Sequence, residues 1–265
     1  MKIFIFSNYK DNSKEAYTNL KPILDDLGFE IVEDYSDGAD VLACIGGDGT
    51  FLSFVHKLGF PSEPIIGINT GHLGFFQEAN PENLRPTMEK IKNGDFNLQK
   101  IKPVQAKIVT RRGEFLRTGL NEIVVRGPFS HASHYAVCIE KTKIQDFSGD
   151  GIIISTPVGS TAYNYSLGGS LLSPELEVLQ LTPIAPMNTS AYRCFKSSLL
   201  LPNHETITIR GTGRCEGGTV LLSFDGRTHE FGGVQKIQIT TSEKEIKLIH
   251  TSEYDHWSKL SNKLL

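Results

Sequence analysis

Five consecutive apolar residues, Val41-Leu42-Ala43-Cys44-Ile45, run directly into Gly46-Gly47-Asp48-Gly49-Thr50, and a helical pattern follows through Phe51, Leu52, Phe54, Val55 and Leu58. An uninterrupted apolar run is what a strand covered on both faces requires. A glycine-rich turn from such a strand into a helix is the junction of a doubly wound α/β sheet. The rest of the first hundred residues repeats this grammar. Residues 2–7 read as a strand, 13–27 as a helix stopped by Gly28, 30–33 as a short strand, 64–69 as another apolar strand, and 81–93 as a further helix.

Around residue 100 the pattern changes to short strands, at 104–110, 134–140, 151–155, 206–211, 219–224, 235–241 and 245–250. Asp225-Gly226 between two apolar runs is a hairpin signal. Residues 170–182 stand apart, because Leu171, Leu172, Leu176, Leu179 and Leu181 have helical spacing. The expected fold is therefore an α/β N-terminal domain, doubly wound and Rossmann-like, over residues 1–101. A mostly-β, β-sandwich-like C-terminal domain follows over 102–250. The tail, 251–265, reads as a helix that packs back on the first domain, with Trp257 as a packing anchor.

Charge limits what such a chain acts on. Its 265 residues carry 27 Lys and Arg against 30 Asp and Glu, a net charge of −3, with no basic stripe. That argues against a nucleic-acid partner. No apolar stretch approaches the roughly 18 to 20 residues of a membrane span, and the apolar run after Lys2 is too short for a secretion signal. The four cysteines, Cys44, Cys138, Cys194 and Cys215, are far apart and form no C-x-x-C pair, so free and mostly buried thiols are expected. The implied setting is cytoplasmic, with a small-molecule substrate.

The turn at residues 46–50 carries the strongest chemical signal. In open α/β sheets ligands collect at the carboxyl ends of strands. Glycines there let the main chain approach a phosphate, and the following helix offers free N–H groups to an anion. Gly-Asp-Gly is also ordinary turn chemistry, but three glycines exceed what a plain connection requires. A P-loop is missing, and so is a true G-x-G-x-x-G, since Gly211 and Gly213 are followed by Gly217 one residue too late. Asp48 is the one acid in the turn. A carboxylate beside a polyphosphate is repelled by it, so its presence points to a chemical role, either orienting a hydroxyl or holding a cation. Phosphoryl transfer has a loose transition state, in which orientation of the attacking hydroxyl matters more than early removal of its proton.

Three weaker constellations accompany it. Ser155-Thr156-Pro157-Val158-Gly159-Ser160-Thr161-Ala162-Tyr163-Asn164, continuing to Ser170, packs hydroxyls, glycines and an amide after a strand. This suits ribose, phosphate or adenine equally as it suits a polar loop. Asn121-Glu122 opens the strand Ile123-Val124-Val125, and Asp150-Gly151 precedes Ile152-Ile153-Ile154. His131 and His134 lie three apart with no acid or Cys to complete a metal set, so no protein-bound metal site is expected.

Together these motifs resemble the NAD kinase family. The resemblance is carried by Gly46-Gly47-Asp48-Gly49-Thr50-Phe51, Asn69-Thr70-Gly71-His72-Leu73-Gly74-Phe75, Asn121-Glu122, and Asp150-Gly151 continuing into residues 155–169, in the family's order and spacing. It implies phosphorylation of the adenosine ribose 2′-hydroxyl of NAD or NADH, giving NADP or NADPH. ATP or polyphosphate would be the donor, with Mg²⁺ or another divalent cation, in a homodimer or homotetramer. By position, Asp48 would be the catalytic base or orienting acid. Gly46, Gly47, Gly49 and Thr50 would hold the donor phosphates. Asp48, Gly49, Phe75, Asn121, Glu122, Asp150, Thr161, Ala162, Tyr163 and Ala185 would bind NAD, with Asp225 a weaker carry-over.

Two positions depart from the family pattern. Val158 stands where many members have a small polar residue, and Ser148 where many have an Arg associated with preference for the oxidised cofactor. Both are specificity candidates. Few Lys or Arg lie beside the motifs, which hands charge neutralisation to a metal and to main-chain N–H groups. A lipid kinase shares the Gly-Gly-Asp-Gly-Thr turn, but no basic amphipathic segment supports it. A dinucleotide sensor would gain little from Asp48.

Overall fold

The structure is a computed structural model and describes residues 1–8, 10–71, 74–128, 131–188, 193–251 and 255–264. His72 and Leu73 of the Asn69–Phe75 motif lie outside the described residues. The chain divides into two compact units, residues 1–101 with 244–265, and residues 102–243.

The first unit begins β1 (Lys2–Ser7), α1 (Asp11–Asp26), β2 (Glu30–Val32), β3 (Val41–Ile45), α2 (Asp48–Lys57), β4 (Pro64–Ile68), α3 (Leu84–Asn93) and β5 (Asn97–Ile101). All five residues of β3 are buried, as its unbroken apolar run requires. One face of the sheet packs Ile3, Val41, Ala43, Ile45, Ile66 and Ile68 against Ala16, Leu20 and Leu24 of α1 and Leu84, Met88 and Ile91 of α3. On α2, Phe51, Phe54 and Val55 are fully buried, and Phe54 stacks on Phe6 with centroids 5.0 Å apart.

The second unit contains β6 (Val104–Thr110), β7 (Gly113–Gly119), β8 (Glu122–Arg126), β9 (Ser133–Ile139), β10 (Thr142–Gly149), β11 (Gly151–Ser155), the short α4 (Tyr163–Ser166), β12 (Val178–Ile184), β13 (Leu199–Pro202), β14 (Ile207–Gly211), β15 (Val220–Phe224), β16 (Arg227–Phe231) and β17 (Val234–Thr241). Two six-stranded sheets form, ordered β10-β9-β14-β17-β6-β7 and β13-β12-β11-β8-β15-β16. Alternate residues point into a shared core: Val104, Ala106 and Ile108 from one sheet, Ile123, Val125, Ile152 and Ile154 from the other. This is the sandwich expected from the strand pattern.

The helix expected over residues 170–182 does not form. β12 takes its second half and pairs antiparallel with β11, Ser155 opposite Gln180 and Gly151 opposite Ile184. Leu179 and Leu181 enter the sandwich core at a spacing of two, a strand period that the neighbouring leucines mask in the sequence. Gln180 then holds the preceding coil, its Oε1 accepting from Ser170 N at 2.6 Å and its Nε2 donating to Ser170 O at 3.0 Å.

The chain closes with β18 (Ile246–His250) and α5 (His256–Leu264), both in the first unit. β18, expected in the β-rich domain, instead enters the first sheet, whose order is β2-β1-β3-β4-β18-β5, parallel to β4 and antiparallel to β5. Its Ile249 completes the apolar face under α1 and α3, a non-local pairing invisible to local pattern. On α5, His256 and Leu260 are buried while Trp257 is 58% exposed, so Trp257 is no packing anchor. All four cysteines are free thiols, three of them buried. Among the described residues no helix is long and apolar enough to cross a membrane.

Candidate active site

In the first sheet the chain runs from β1 to β2 on one side of β1 and then crosses from β2 to β3 on its other side, so the direction of winding reverses between β1 and β3. Such a switch point opens a crevice at the carboxyl ends of the strands, where α/β proteins bind ligands. Here Asn8 follows β1 and Gly46–Thr50 follows β3. Asn8 Nδ2 donates to Thr50 Oγ1 at 2.9 Å and bridges the switch point. Asn8 carried no motif, and only the topology reveals it.

Gly47 is the N-cap of α2 and Asp48 its first residue. The helical bonding begins at Thr50 N, which donates to Gly47 O at 2.9 Å. The amides of Asp48 and Gly49 precede it and belong to the N–H groups that a helix start leaves for an anion. The Asp48 carboxylate is held from two directions. Oδ1 accepts from Phe75 N at 2.9 Å and Phe76 N at 3.2 Å, and Oδ2 pairs with Lys263 Nζ of α5 at 2.5 Å. Phe76 anchors its loop by stacking on Phe51, with centroids 4.6 Å apart and planes within 8°. Phe75 is partly exposed, and Lys263 Nζ lies 4.4 Å from its ring centroid.

Thus Asp48, Gly49, Thr50 and Phe75 converge, as expected, but a lysine accompanies them. The scarcity of Lys and Arg beside the motifs is a fact of sequence only. The fold brings Lys263 from more than two hundred positions away. Lys259 and Lys263 are four apart, one helical face, which the sequence offered without indicating a target.

In the second unit the organising residue is Asp225. With Gly226 it forms the two-residue β15–β16 turn, both at positive φ. Its carboxylate accepts from Leu120 N at 2.6 Å, Asn121 N at 2.8 Å and Glu122 N at 3.3 Å. Its observed role is thus to hold the main chain of the Asn121-Glu122 pair. Thr156 binds the same segment from the other side, with Oγ1 donating to Leu120 O at 2.7 Å and N to Asn121 O at 2.9 Å. Gly159 lies so close that a Cβ would stand 2.0 Å from Asn121 O, so only glycine fits. Asn121 Oδ1 and Glu122 Oε2 are buried without a hydrogen-bond partner. Burial, reinforced by the Asp225 charge, pushes the Glu122 carboxyl up to about 8.

Thr161, Ala162 and Tyr163 follow on the coil and short helices after Thr156. Tyr163 Oη accepts a hydrogen bond from Arg126 Nη2, whose guanidinium also lies over the Tyr163 ring, 5.5 Å from its centroid. Val158 is half-buried at the start of this coil.

Asp150 and Ala185 are both exposed at the opposite end of β11 and β12 from Glu122. That is five residue steps along the strands, roughly 17 Å. The sequence-predicted NAD set therefore lies towards both ends of this sheet, with Tyr163, bonded to Arg126, linking them. A cavity of about 330 Å³ at the second end is lined by Arg126, Pro128, His131, Asp150 and Leu221 among others. Ser148 is buried, with Oγ 2.8 Å from His134 Nδ1 and N donating to Cys194 Sγ at 3.2 Å. Among the described residues no three His, Cys, Asp or Glu side chains gather to hold a metal.

An anion-receptive helix start at a sheet switch point, carrying one held carboxylate, is the equipment of a phosphoryl-transfer enzyme. Residues 6–96 match the ATP-NAD kinase N-terminal domain and residues 120–251 the ATP-NAD kinase C-terminal domain. The chain is 36% identical to an NAD kinase of Finegoldia magna, covering 99% of this chain and 97% of that one. It is 33% identical to an NAD kinase of Streptococcus thermophilus, covering 96% and 92%. The fold is similar to that of yeast NADH kinase complexed with NADH, at a TM-score of 0.85 and 19% identity over 100% of this chain and 87% of that one. It is also similar to that of an Archaeoglobus fulgidus NAD kinase in complex with ATP, at 0.77 and 23% over 99% of both. The chain belongs to the NAD kinase family, and its reaction is the phosphorylation of NAD to NADP.

Proposed function

We propose that Asp48 orients the adenosine ribose 2′-hydroxyl and takes its proton, while the α2 N-terminus receives the phosphates of ATP. The observation that supports this most directly is the tethering of Asp48 Oδ1 by Phe75 N and Phe76 N at the first turn of α2. It fixes one carboxylate oxygen and leaves the other, Oδ2, to the pair with Lys263. The 2′-oxygen attacks the γ-phosphorus, the bond from that phosphorus to the ADP oxygen breaks, and the hydroxyl proton passes to Asp48 Oδ2. Gly46, Gly47, Gly49 and Thr50 cradle the donor: Gly46 N and Thr50 N are already bonded to Ile68 O and Gly47 O, and the missing side chains at Gly47 and Gly49 let phosphate oxygens approach the helix start.

Phe75 lines the NAD site. Asn121 and Glu122 take the adenosine part through the polar atoms they bury without partners. Thr161, Ala162 and Tyr163 contact NAD along the coil that leads from Thr156 towards Arg126, and Asp150 and Ala185 contact it at the far end, in a homodimer or homotetramer. Ser148 and Val158 set the preference between NAD and NADH. Polyphosphate is an alternative donor at the same turn, and the setting is cytoplasmic.

Mg²⁺ keeps several waters and binds substrate phosphates, so the donor phosphates and water would hold the ion, Asp48 Oδ1 being tethered by two amides and Oδ2 assigned to the hydroxyl. When bound, the cation neutralises phosphate charge.

The experiment is a turnover assay on purified protein with NAD or NADH and ATP or polyphosphate, in Mg²⁺ and after chelation. Product is read by a dehydrogenase specific for NADP or NADPH. NADP formed with Mg²⁺-ATP and abolished by chelation is the expected result. Undiminished product after chelation would remove the cation, and none from ATP would remove it as donor.

A further inference from the structure

α5 is fastened to the catalytic turn along one face. His256 and Leu260 are buried on it. Lys259, four residues before Lys263, donates to Gln77 O at 2.8 Å and stands 3.9 Å from Glu78 Oε2. Glu78 in turn accepts from Thr251 N at 3.0 Å and lies 3.0 Å from His250 Nδ1, which ties β18 to the same loop. Burial lowers the Lys259 pKa, opposed by the Glu78 and Asp48 charges. One turn further along, Lys263 reaches Asp48 Oδ2, with its side chain still 30% exposed.

A lysine at this position has a chemical consequence. Its ammonium stands at the first residue of α2, where the donor phosphates are assigned, and it is partnered by the carboxylate oxygen assigned to the substrate hydroxyl. Those two duties of Asp48 cannot run together, so Lys263 must exchange partners when substrates arrive. The phosphates offer more negative charge than one carboxylate and lie at the same helix terminus.

We propose that Lys263 is a donor-phosphate residue, held on Asp48 in the free protein and passed to the donor phosphates when they bind. The transfer frees Oδ2 for the hydroxyl and adds a protein cation to the charge on the phosphates. Lys259, fixed to Gln77 and Glu78, keeps α5 in place during the exchange. The proposal rests on the assignment of the α2 N-terminus to the donor phosphates.

Calorimetric titration of the full-length protein with inorganic triphosphate, which has no adenosine to contribute contacts, tests it without turnover. Lys263→Met is expected to weaken triphosphate affinity about 10- to 100-fold, the loss of one charge-assisted contact, and to raise the KM for ATP similarly while the KM for NAD stays within about 3-fold. Lys263→Arg should restore most of both, a rescue that a merely structural role in α5 does not require. Unchanged triphosphate affinity in Lys263→Met would overturn the proposal, as would a faster enzyme with unchanged donor affinity, since Lys263 would then be a clamp on Asp48. Wild-type protein that phosphorylates NAD yet takes up no triphosphate would also overturn it, leaving the kinase standing.

Discussion

The α-carbon of Gly74 faces the Asp48 carboxylate so closely that a Cβ would stand 2.5 Å from Oδ1, and 1.6 Å from Gln77 Oε1. The Asn69–Phe75 motif thus needs glycine at position 74 to let the Phe75 and Phe76 amides reach Asp48. Gly74→Ala should displace the loop by a fraction of an ångström to an ångström and lower kcat by roughly 10- to 100-fold, with NAD binding less affected. Steady-state kinetics with both substrates varied would check this, and a kcat near wild type would count against the tether.

Asp225 is expected to be a stability residue before it is a ligand residue. Asp225→Ala removes the acceptor of three main-chain N–H groups at the edge of Glu122, at a cost of about 2 to 4 kcal/mol. Asp225→Asn keeps one carbonyl acceptor and should fall between. Urea unfolding monitored on both variants reads this directly. An alanine variant within about 0.5 kcal/mol of wild type would mean the contacts are replaced by water at no cost.

Glu122 makes stability depend on pH in an uncommon direction for a carboxyl group. Burial raises its pKa in the folded protein to about 8, above the 4.5 of a free glutamate. Below about pH 4.5 the group is protonated in both states and its contribution is fully present. As pH rises towards 8 the unfolded chain releases the proton and the folded chain keeps it, so stability falls, by up to roughly 1.4 kcal/mol per pH unit. Melting temperatures at pH 5, 6.5 and 8 should therefore decline in wild type more steeply than in Glu122→Gln. Parallel profiles would show that Glu122 does not titrate across this window.

Much of this was legible in the sequence because it is local. The apolar run of β3, its glycine turn and α2 follow from neighbours in the chain, and the alternation in β6, with the succession of short strands after it, announces the sandwich. What sequence could not reveal is long-range partnering. β18 looks like one more short strand, and only its pairing with β4 and β5 assigns it to the first sheet. Leu179 and Leu181 read as part of a helix, and only β11 beside them shows the strand. The site divides the same way. Asp48 and the glycines declare themselves by motif, whereas Asn8, Lys259 and Lys263 are ordinary polar residues whose meaning comes from where the topology delivers them. Asp225 was legible as a turn residue but not as the acceptor that fixes Asn121 and Glu122.

The central claim, that Asp48 acts on the substrate hydroxyl rather than on binding, is tested most directly by Asp48→Asn. Asparagine keeps the shape and the acceptor for Phe75 N and Phe76 N, and removes the charge and the proton acceptor. NAD affinity, measured by calorimetry, should stay within about 3-fold of wild type, while kcat for NADP formation falls on the order of 10³-fold. An Asp48→Asn enzyme within about 10-fold of wild-type kcat would contradict the role given to Asp48.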